Sequence, residues 1–564
     1  MLRQLVLFSL FQLICEAIVI PDTQRAGYFA IEAKKYRGSS LKDAHPGAKP
    51  ALVVREDSNG NYLSVGLSNE QTFYLTNLEI GSTSQKVGVL VDTGSSDLWV
   101  VANNNTYCES GTTGSLRKGR ALSDIFDKSE GDKNADVDVV NNNSSSLFQS
   151  KASSSNMIDC SVYGTFDESQ SDTFSSNGTS FSITYADGTF ANGIWGYDHV
   201  TIGGTQLNGL SFAVCDDTDN NMGVLGIGLA GLETTFSGST SSNSYKYENL
   251  PMRLKSLGIT DSVSYSVHLN DTTSDDATIL FGAVDHKRYT GDLVTVPIIN
   301  SLQNKGYSSP IQLEVTLNSV TFADSSNSSE VLLASGAAAA LLDTGTTLTY
   351  IPSTLLTQII SSLNVQYSSS VGYYVMKCTE GQDLSLIFDF QGQKINVPFE
   401  SFLVSLVTTS GSTSSYCMVG LQSSGDSGFT LGDSFLRYAY MVADLDNLEI
   451  SLAQAAHNVD GNDIEVISSS VPSAVSASSS NTYGASATIL NVSSGAVMSV
   501  VSNDSATKTN TATAKGTTAT KGTSTSSGSA TGTVSSISTK SANGVGRTSC
   551  GVGLSLAVFI AAFI

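Results

Sequence analysis

The chain has 564 residues and a formal net charge of −22, long enough for two domains with additional segments. The acidic balance excludes the basic footprint of a nucleic-acid-binding protein. Charged residues make up only 14%, which points away from a cytosolic enzyme and toward a surface of Ser, Thr, Asn and Gly suited to carrying sugar.

Residues 1–17 combine Arg3, an apolar stretch Leu5–Ile14 and a small residue at Ala17, the pattern of a signal peptide. Residues 18–55 are fairly basic, with Lys34-Lys35-Tyr36-Arg37 and Arg55, and read as a pro-segment able to pair electrostatically with an acidic body. From about Ser68 to Ala453 the texture is β. Phe73-Tyr74-Leu75-Thr76-Asn77-Leu78-Glu79-Ile80 alternates apolar and polar before Gly81, and Phe181-Ser182-Ile183-Thr184-Tyr185 alternates before a turn at Ala186-Asp187-Gly188, as in an all-β protein. Pro352–Ser362 is the best helical candidate. An Asn/Ser/Asp-rich insertion covers 109–159. Its basic island Arg117-Lys118-Gly119-Arg120 is a candidate nicking site that would produce a two-chain form, and the alternative is an unprocessed loop.

Residues 457–543 are dominated by Ser, Thr, Ala and Gly and read as an extended stalk with too little apolar material for a core. Residues 544–564 end in the uncharged apolar run Val552–Ile564, too short to span a bilayer comfortably. Small residues precede it, the pattern of a glycosylphosphatidylinositol signal that is removed on maturation, with Asn543 as the attachment residue. An alternative is a soluble secreted form with an unprocessed C-terminus.

Cys15 and Cys550 would leave with the two ends. Cys108, Cys160, Cys215, Cys378 and Cys417 remain, enough for two bridges and one leftover thiol in an oxidising compartment. No Cys-x-x-Cys pair occurs, so zinc is not expected, and the chemistry read below calls for neither a metal nor a cofactor. Glycosylation sequons start at Asn104, Asn142, Asn143, Asn177, Asn270, Asn327, Asn491 and Asn503.

The chemistry lies in an internal echo. Val89-Leu90-Val91-Asp92-Thr93-Gly94-Ser95-Ser96 returns as Ala340-Leu341-Leu342-Asp343-Thr344-Gly345-Thr346-Thr347, and Val224-Leu225-Gly226-Ile227 is matched by Phe429-Thr430-Leu431-Gly432-Asp433. Two half-copies of one plan predict two similar β lobes facing each other. Each delivers one Asp into a turn of Gly and hydroxyl residues. Two carboxylates held together share a proton; the ionised one activates water and the protonated one polarises a peptide carbonyl. Ser95 and Thr346 are placed to hold the outer carboxylate oxygens. The Gly226–Gly231 stretch mimics a dinucleotide fingerprint, but no helix follows it. Gly425-Asp426-Ser427-Gly428 mimics a serine-protease motif, but none of the five His sits in a context suited to a general base.

Asp92-Thr93-Gly94-Ser95-Ser96-Asp97-Leu98-Trp99 and Asp343-Thr344-Gly345-Thr346-Thr347 resemble the two active-site motifs of the pepsin (A1) family of aspartic proteases. Leu431-Gly432-Asp433-Ser434-Phe435-Leu436-Arg437 resembles its closing segment. With the insertion, stalk and anchor signal, the chain is most similar to the fungal yapsin group. The resemblance implies a bilobal, mainly all-β fold with the active site between an N-terminal lobe (68–250) and a C-terminal lobe (251–456). It implies catalytic Asp92 and Asp343 supported by Thr93, Gly94, Ser95, Thr344, Gly345 and Thr346. It further implies a flap with Tyr185, Asp187 and Gly188, with Trp99 accepting a hydrogen bond from Tyr185. The implied bridges are Cys108–Cys160 and Cys378–Cys417, leaving Cys215 free.

The expectation is a secreted, lipid-anchored aspartic endopeptidase, made as a zymogen and acting at acid pH on peptide and protein substrates at the plasma membrane or wall. It would be monomeric, with wall glucan as a further partner. Asp187 would favour Lys or Arg at the cut; the alternative is that it only completes an Asp-Gly turn. The contrasting reading is a degenerate protease body serving as a structural or adhesive wall glycoprotein.

Overall fold

The computed structural model describes residues 27–37, 52–56, 63–67, 72–108, 158–186, 188–236, 244–270, 276–368, 373–408, 413–425, 428–479, 481–484 and 490–493. The expected signal peptide, most of the 109–159 insertion, the distal stalk and the anchor signal lie outside the described residues, as does Asp187. All described residues belong to one compact unit.

The N-terminal half is built around strand Gln85–Asp92, whose residues from Val87 onward are all buried, as befits a central strand covered on both faces. It pairs antiparallel with Thr72–Ile80 (Leu75↔Leu90) and parallel with Gly223–Gly226 (Val224↔Leu90, Gly226↔Asp92). Gly223–Gly226 in turn runs antiparallel to Leu98–Val101 (Val224↔Trp99). The C-terminal half repeats this arrangement. Strand Ser329–Leu342 pairs parallel with Phe429–Leu431 (Ala340↔Phe429, Leu342↔Leu431), which runs antiparallel to Thr349–Ile351. Each echo seen in the sequence is therefore the same three-strand crossing, and each ends by presenting an Asp. The expected helix is present as Ser353–Ser361.

Strands of the two halves join in one 14-stranded sheet. The rung between them is Phe29–Arg37, which lies in the expected pro-segment. It pairs antiparallel with Asp276–Phe281 on one side (Ile31↔Ile279) and with Thr72–Ile80 on the other (Tyr36↔Phe73). Phe29, Ile31 and Ala33 point alternately inward and are buried, the period-2 burial of a half-covered strand. Residues Leu52–Glu56 and Leu63–Leu67 form a hairpin added in parallel to Leu403–Thr408.

Residues beyond 457 depart from the expected stalk. Ile464–Val466 pairs with Ala283–Asp285, Ala474–Ser476 with Tyr289–Pro297, and Asn491–Val492 with Ser329–Leu342. Ile467, Val471 and Leu490 are buried. The segment to residue 493 is docked because these few apolar side chains find prepared sites on the body, so the overall Ser/Thr richness does not decide its conformation.

Cys108–Cys160 and Cys378–Cys417 are bridged, and Cys215 is free and buried. Among the described residues no helix is long and apolar enough to cross a membrane.

Candidate active site

Strands Gln85–Asp92 and Ser329–Leu342 deliver Asp92 and Asp343 to the same point between the halves. Their carboxyl groups lie within hydrogen-bond reach of each other. Each is held by a matching set of donors. Asp92 Oδ1 accepts from Gly94 N at 2.7 Å and Oδ2 from the Ser95 hydroxyl at 2.5 Å. Asp343 Oδ1 accepts from Gly345 N at 2.8 Å and Oδ2 from the Thr346 hydroxyl at 2.7 Å.

The two glycines have a steric reason as well. A Cβ at Gly94 would lie 2.6 Å from Asp343 Oδ1, and one at Gly345 would lie 2.4 Å from Asp92 Oδ1. A side chain at either position would drive the two carboxylates apart.

The two turns are cross-linked through their threonines. Thr93 N donates to Thr344 Oγ1 at 3.1 Å and Thr344 N to Thr93 Oγ1 at 2.9 Å. Each hydroxyl then donates to the opposite strand, Thr93 to Leu342 O at 2.9 Å and Thr344 to Val91 O at 2.8 Å. Four reciprocal bonds in a buried setting fix the relative position of the carboxylates more rigidly than either half does alone.

Burial, followed by the neighbouring Asp343 carboxylate, holds the Asp92 carboxyl well above its ordinary range, while the Ser95 and Gly94 donors pull the other way. A pair so placed keeps one proton at a pH where a free carboxyl is ionised.

Strands Ser175–Thr184 and Phe190–Ile202 form a hairpin over the dyad. Its turn is closed by Gly188 N donating to Tyr185 O at 2.9 Å, with Gly188 at φ +86° and exposed. The Tyr185 hydroxyl meets Trp99 Nε1 at 2.7 Å. The expected direction of this bond is corrected: an indole N–H has only a proton to give, so Trp99 donates and Tyr185 accepts. Burial and then Asp92 push the Tyr185 hydroxyl up, so it stays protonated, with its own proton free to point toward the cleft.

Beneath the Trp99 side lies a group of residues that the motifs alone did not single out. The Tyr247 hydroxyl donates to Asp97 Oδ1 at 2.7 Å, Thr234 N donates to Asp97 Oδ2 at 3.0 Å, and Tyr247 N donates to Glu233 Oε2 at 3.0 Å. The Tyr247 ring lies 4.9 Å from that of Trp195. Burial pushes the Asp97 carboxyl up to about 6 and that of Glu233 up to about 8. The only sequence signal was Asp97 itself, an acid inside an apolar strand start.

Among the sequons, Asn104, Asn177, Asn327 and Asn491 are exposed and Asn270 is partly buried at φ +59°. Asn142, Asn143, Asn503 and Asn543 lie outside the described residues. Among the described residues no cluster of three or more His, Cys, Asp or Glu side chains is arranged to hold a metal ion.

The family model of eukaryotic aspartyl proteases matches residues 73–455. The chain is 43% identical to aspartic proteinase 3 of Saccharomyces cerevisiae, over 89% of this chain and 92% of that protein. It is 39% identical to aspartic proteinase yapsin-3 of the same yeast, over 75% and 74%. It is 35% identical to secreted aspartic protease 9 of Candida albicans, over 78% and 87%.

Proposed function

This chain belongs to the eukaryotic aspartyl protease family and is an aspartic endopeptidase of the yapsin type, and on that premise we propose that Asp92 and Asp343 form the catalytic pair. The observation that carries the assignment is the mirrored cradle: two carboxylates, each with one backbone and one hydroxyl donor, locked by reciprocal threonine bonds. The ionised member takes a proton from water as that water attacks the scissile carbonyl carbon. The protonated member donates to the carbonyl oxygen, so charge develops against a hydrogen bond already in place. Collapse of the tetrahedral species returns a proton to the leaving nitrogen and breaks the C–N bond. Tyr185, with Trp99 behind it, closes over the substrate.

The finer reading is an enzyme that enters the secretory pathway as a zymogen and acts on other surface proteins from a lipid anchor at Asn543, in membrane or wall. A preference for Lys or Arg at the cut is supported by the charge of −22, which attracts cationic peptides, and by Asp187 next to Gly188 in the flap. The leader strand Phe29–Arg37 supports the zymogen reading. It fills a slot between Thr72–Ile80 and Asp276–Phe281, so its release would expose two strand edges.

The test is cleavage of a peptide library across acid pH by the leader-free protein, beside Asp92→Asn and Asp343→Asn. Either variant should lose about 10³-fold or more, as when one member of a catalytic unit is removed. Asp187→Asn should reduce cleavage beside Lys and Arg selectively. An unchanged preference removes Asp187 from the specificity argument. Absence of cleavage by the leader-free wild type would instead favour the structural glycoprotein reading.

A further inference from the structure

We propose that Asn177 carries an N-linked glycan whose first sugar packs on the ring of Tyr245 and steadies the chain segment that holds Asp97 beside the active site.

Asn177-Gly178-Thr179 sits at a bulge in strand Ser175–Thr184, where pairing with Phe190–Ile202 steps from Ser176↔Gly196 to Ser180↔Ile194. All three residues are exposed, and a Cβ placed on Gly178 would meet nothing within 4 Å. The turn presents the side-chain amide for modification. Asn177 Oδ1 accepts from Thr179 N at 2.9 Å and also from the Thr179 hydroxyl. Donation to the carbonyl oxygen polarises the amide, and Nδ2 is directed toward the exposed Tyr245 hydroxyl. Nδ2 then forms a bond to the anomeric carbon of a lipid-linked pyrophosphate oligosaccharide. The anomeric C–O bond to pyrophosphate breaks, the lipid pyrophosphate leaves, and one Nδ2 proton is lost to base. The conjugated nitrogen keeps one N–H.

The surroundings separate Asn177 from Asn327. Asn177 Nδ2 lies 3.3 Å from the Tyr245 hydroxyl, and Thr179 Oγ1 lies 3.4 Å from it. Tyr245 is 37% exposed, and Tyr197, which pairs with Ser175 on the neighbouring strand, is 47% exposed. Aromatic rings left in water beside a polar turn are suited to cover by a partner with one apolar and one wet face, and a sugar ring offers both. Asn327, by contrast, is turned toward a carboxylate, donating from Nδ2 to Asp324 Oδ2 at 2.7 Å.

The contact has a route to the cleft. Tyr245 N donates to Thr235 O at 3.1 Å. Two residues on, Tyr247 donates its hydroxyl to Asp97, in the same motif as Asp92, and its backbone N–H to Glu233. A sugar seated on Tyr245 therefore restrains a segment whose other end, at Tyr247, packs against the same buried cluster as Trp99 and Tyr185.

The proposal rests on the secretory reading of the protein, and mass spectrometry of the full chain from a secreting host separates the two. After trimming with an endoglycosidase that leaves one N-acetylglucosamine, the Asn177 peptide should carry it in most molecules; Thr179→Ser should retain it and Thr179→Ala should lose it. Other sequons occupied with Asn177 bare would overturn this proposal alone, whereas no sequon occupied would overturn the secretory reading with it. Thermal midpoints then test the packing. Thr179→Ala and Tyr245→Ala should each lower the midpoint by about 2 °C, and the double variant should fall no further than either. Additive losses would mean that the sugar does not rest on Tyr245.

Discussion

Glu233→Gln should flatten the dependence of stability on pH. Glu233 is fully buried, and burial raises its carboxyl from 4.5 to about 8; the Tyr247 N–H pulls it down, Asp97 raises it and Lys246 lowers it. The folded protein thus holds this proton more tightly than the unfolded chain. Below about pH 4.5 both states are protonated and the group costs nothing. As pH rises, the unfolded chain ionises first and the folded state loses stability steadily until about pH 8, beyond which the loss is constant. At about 1.36 kcal/mol per unit, the full shift amounts to roughly 4–5 kcal/mol, of which about 3 kcal/mol falls between pH 5 and pH 8. Glutamine has the same shape, still accepts from Tyr247 N, and has no proton to lose. Two lobes preclude a single unfolding free energy, so the readout is the thermal midpoint at pH 5, 6.5 and 8. At pH 5 the variant should lie close to the wild type, and by pH 8 it should be more stable by several degrees. Parallel curves for the two proteins would refute the argument that Glu233 is a proton-holding group, and a variant already unstable at pH 5 would place its role in packing.

Thr93→Val keeps the shape of the turn but removes the hydroxyl bonded to Leu342 O and Thr344 N. It should cost about 2–4 kcal/mol by leaving buried groups unpaired and lower kcat/KM, while Thr93→Ser restores both. Cutting the chain between residues 109 and 157 should give two fragments that migrate together until reduced, because Cys108–Cys160 spans the insertion; separation without reductant would refute the bridge. Truncation after Ala456 removes the buried Ile467, Val471 and Leu490, each worth about 1.5–3 kcal/mol. It should lower the thermal midpoint sharply, whereas truncation after Ser493 should leave it unchanged.

The dyad and its cradle were legible because the requirement is local: an Asp, a Gly two residues on and a hydroxyl three residues on satisfy one carboxylate, and the pattern occurs twice. The bridges followed from the family resemblance. Trp99 and Tyr185 were paired correctly, but the proton was assigned to the wrong partner, an error that the donor inventory of indole alone would have prevented. Glu233 and Tyr247 were not legible, since their meaning depends on a loop folding back 150 residues from Asp97, and no periodicity records such a contact. The leader strand was half legible. Phe29, Ile31 and Ala33 alternate as a strand should, but the basic run Lys34-Lys35-Tyr36-Arg37 that follows has the composition of a processing segment and no pattern that names a pairing partner.

The docked C-terminal segment changes what a tether can do. A stalk starting at 457 and ending at an anchor on Asn543 would extend at most roughly 300 Å, taking about 3.4 Å per residue. Because residues through 493 are fastened to the body, by Ser493 N donating to Leu333 O at 2.8 Å and Gln358 Nε2 to Ser493 O at 2.8 Å, only about 50 residues remain, a ceiling of roughly 170 Å. Ser493 is held beside helix Ser353–Ser361 on the C-terminal half, so under the proposed anchor a tether would pull on that lobe and leave the flap on the other lobe unloaded. An enzyme anchored this way works at high local concentration on neighbours within that radius and hardly at all beyond it. Lengthening the 494–543 stretch by a Gly/Ser insert should therefore widen the set of surface proteins cleaved without altering kcat/KM on a free peptide. A changed peptide rate would show that the tether acts on the catalytic body itself.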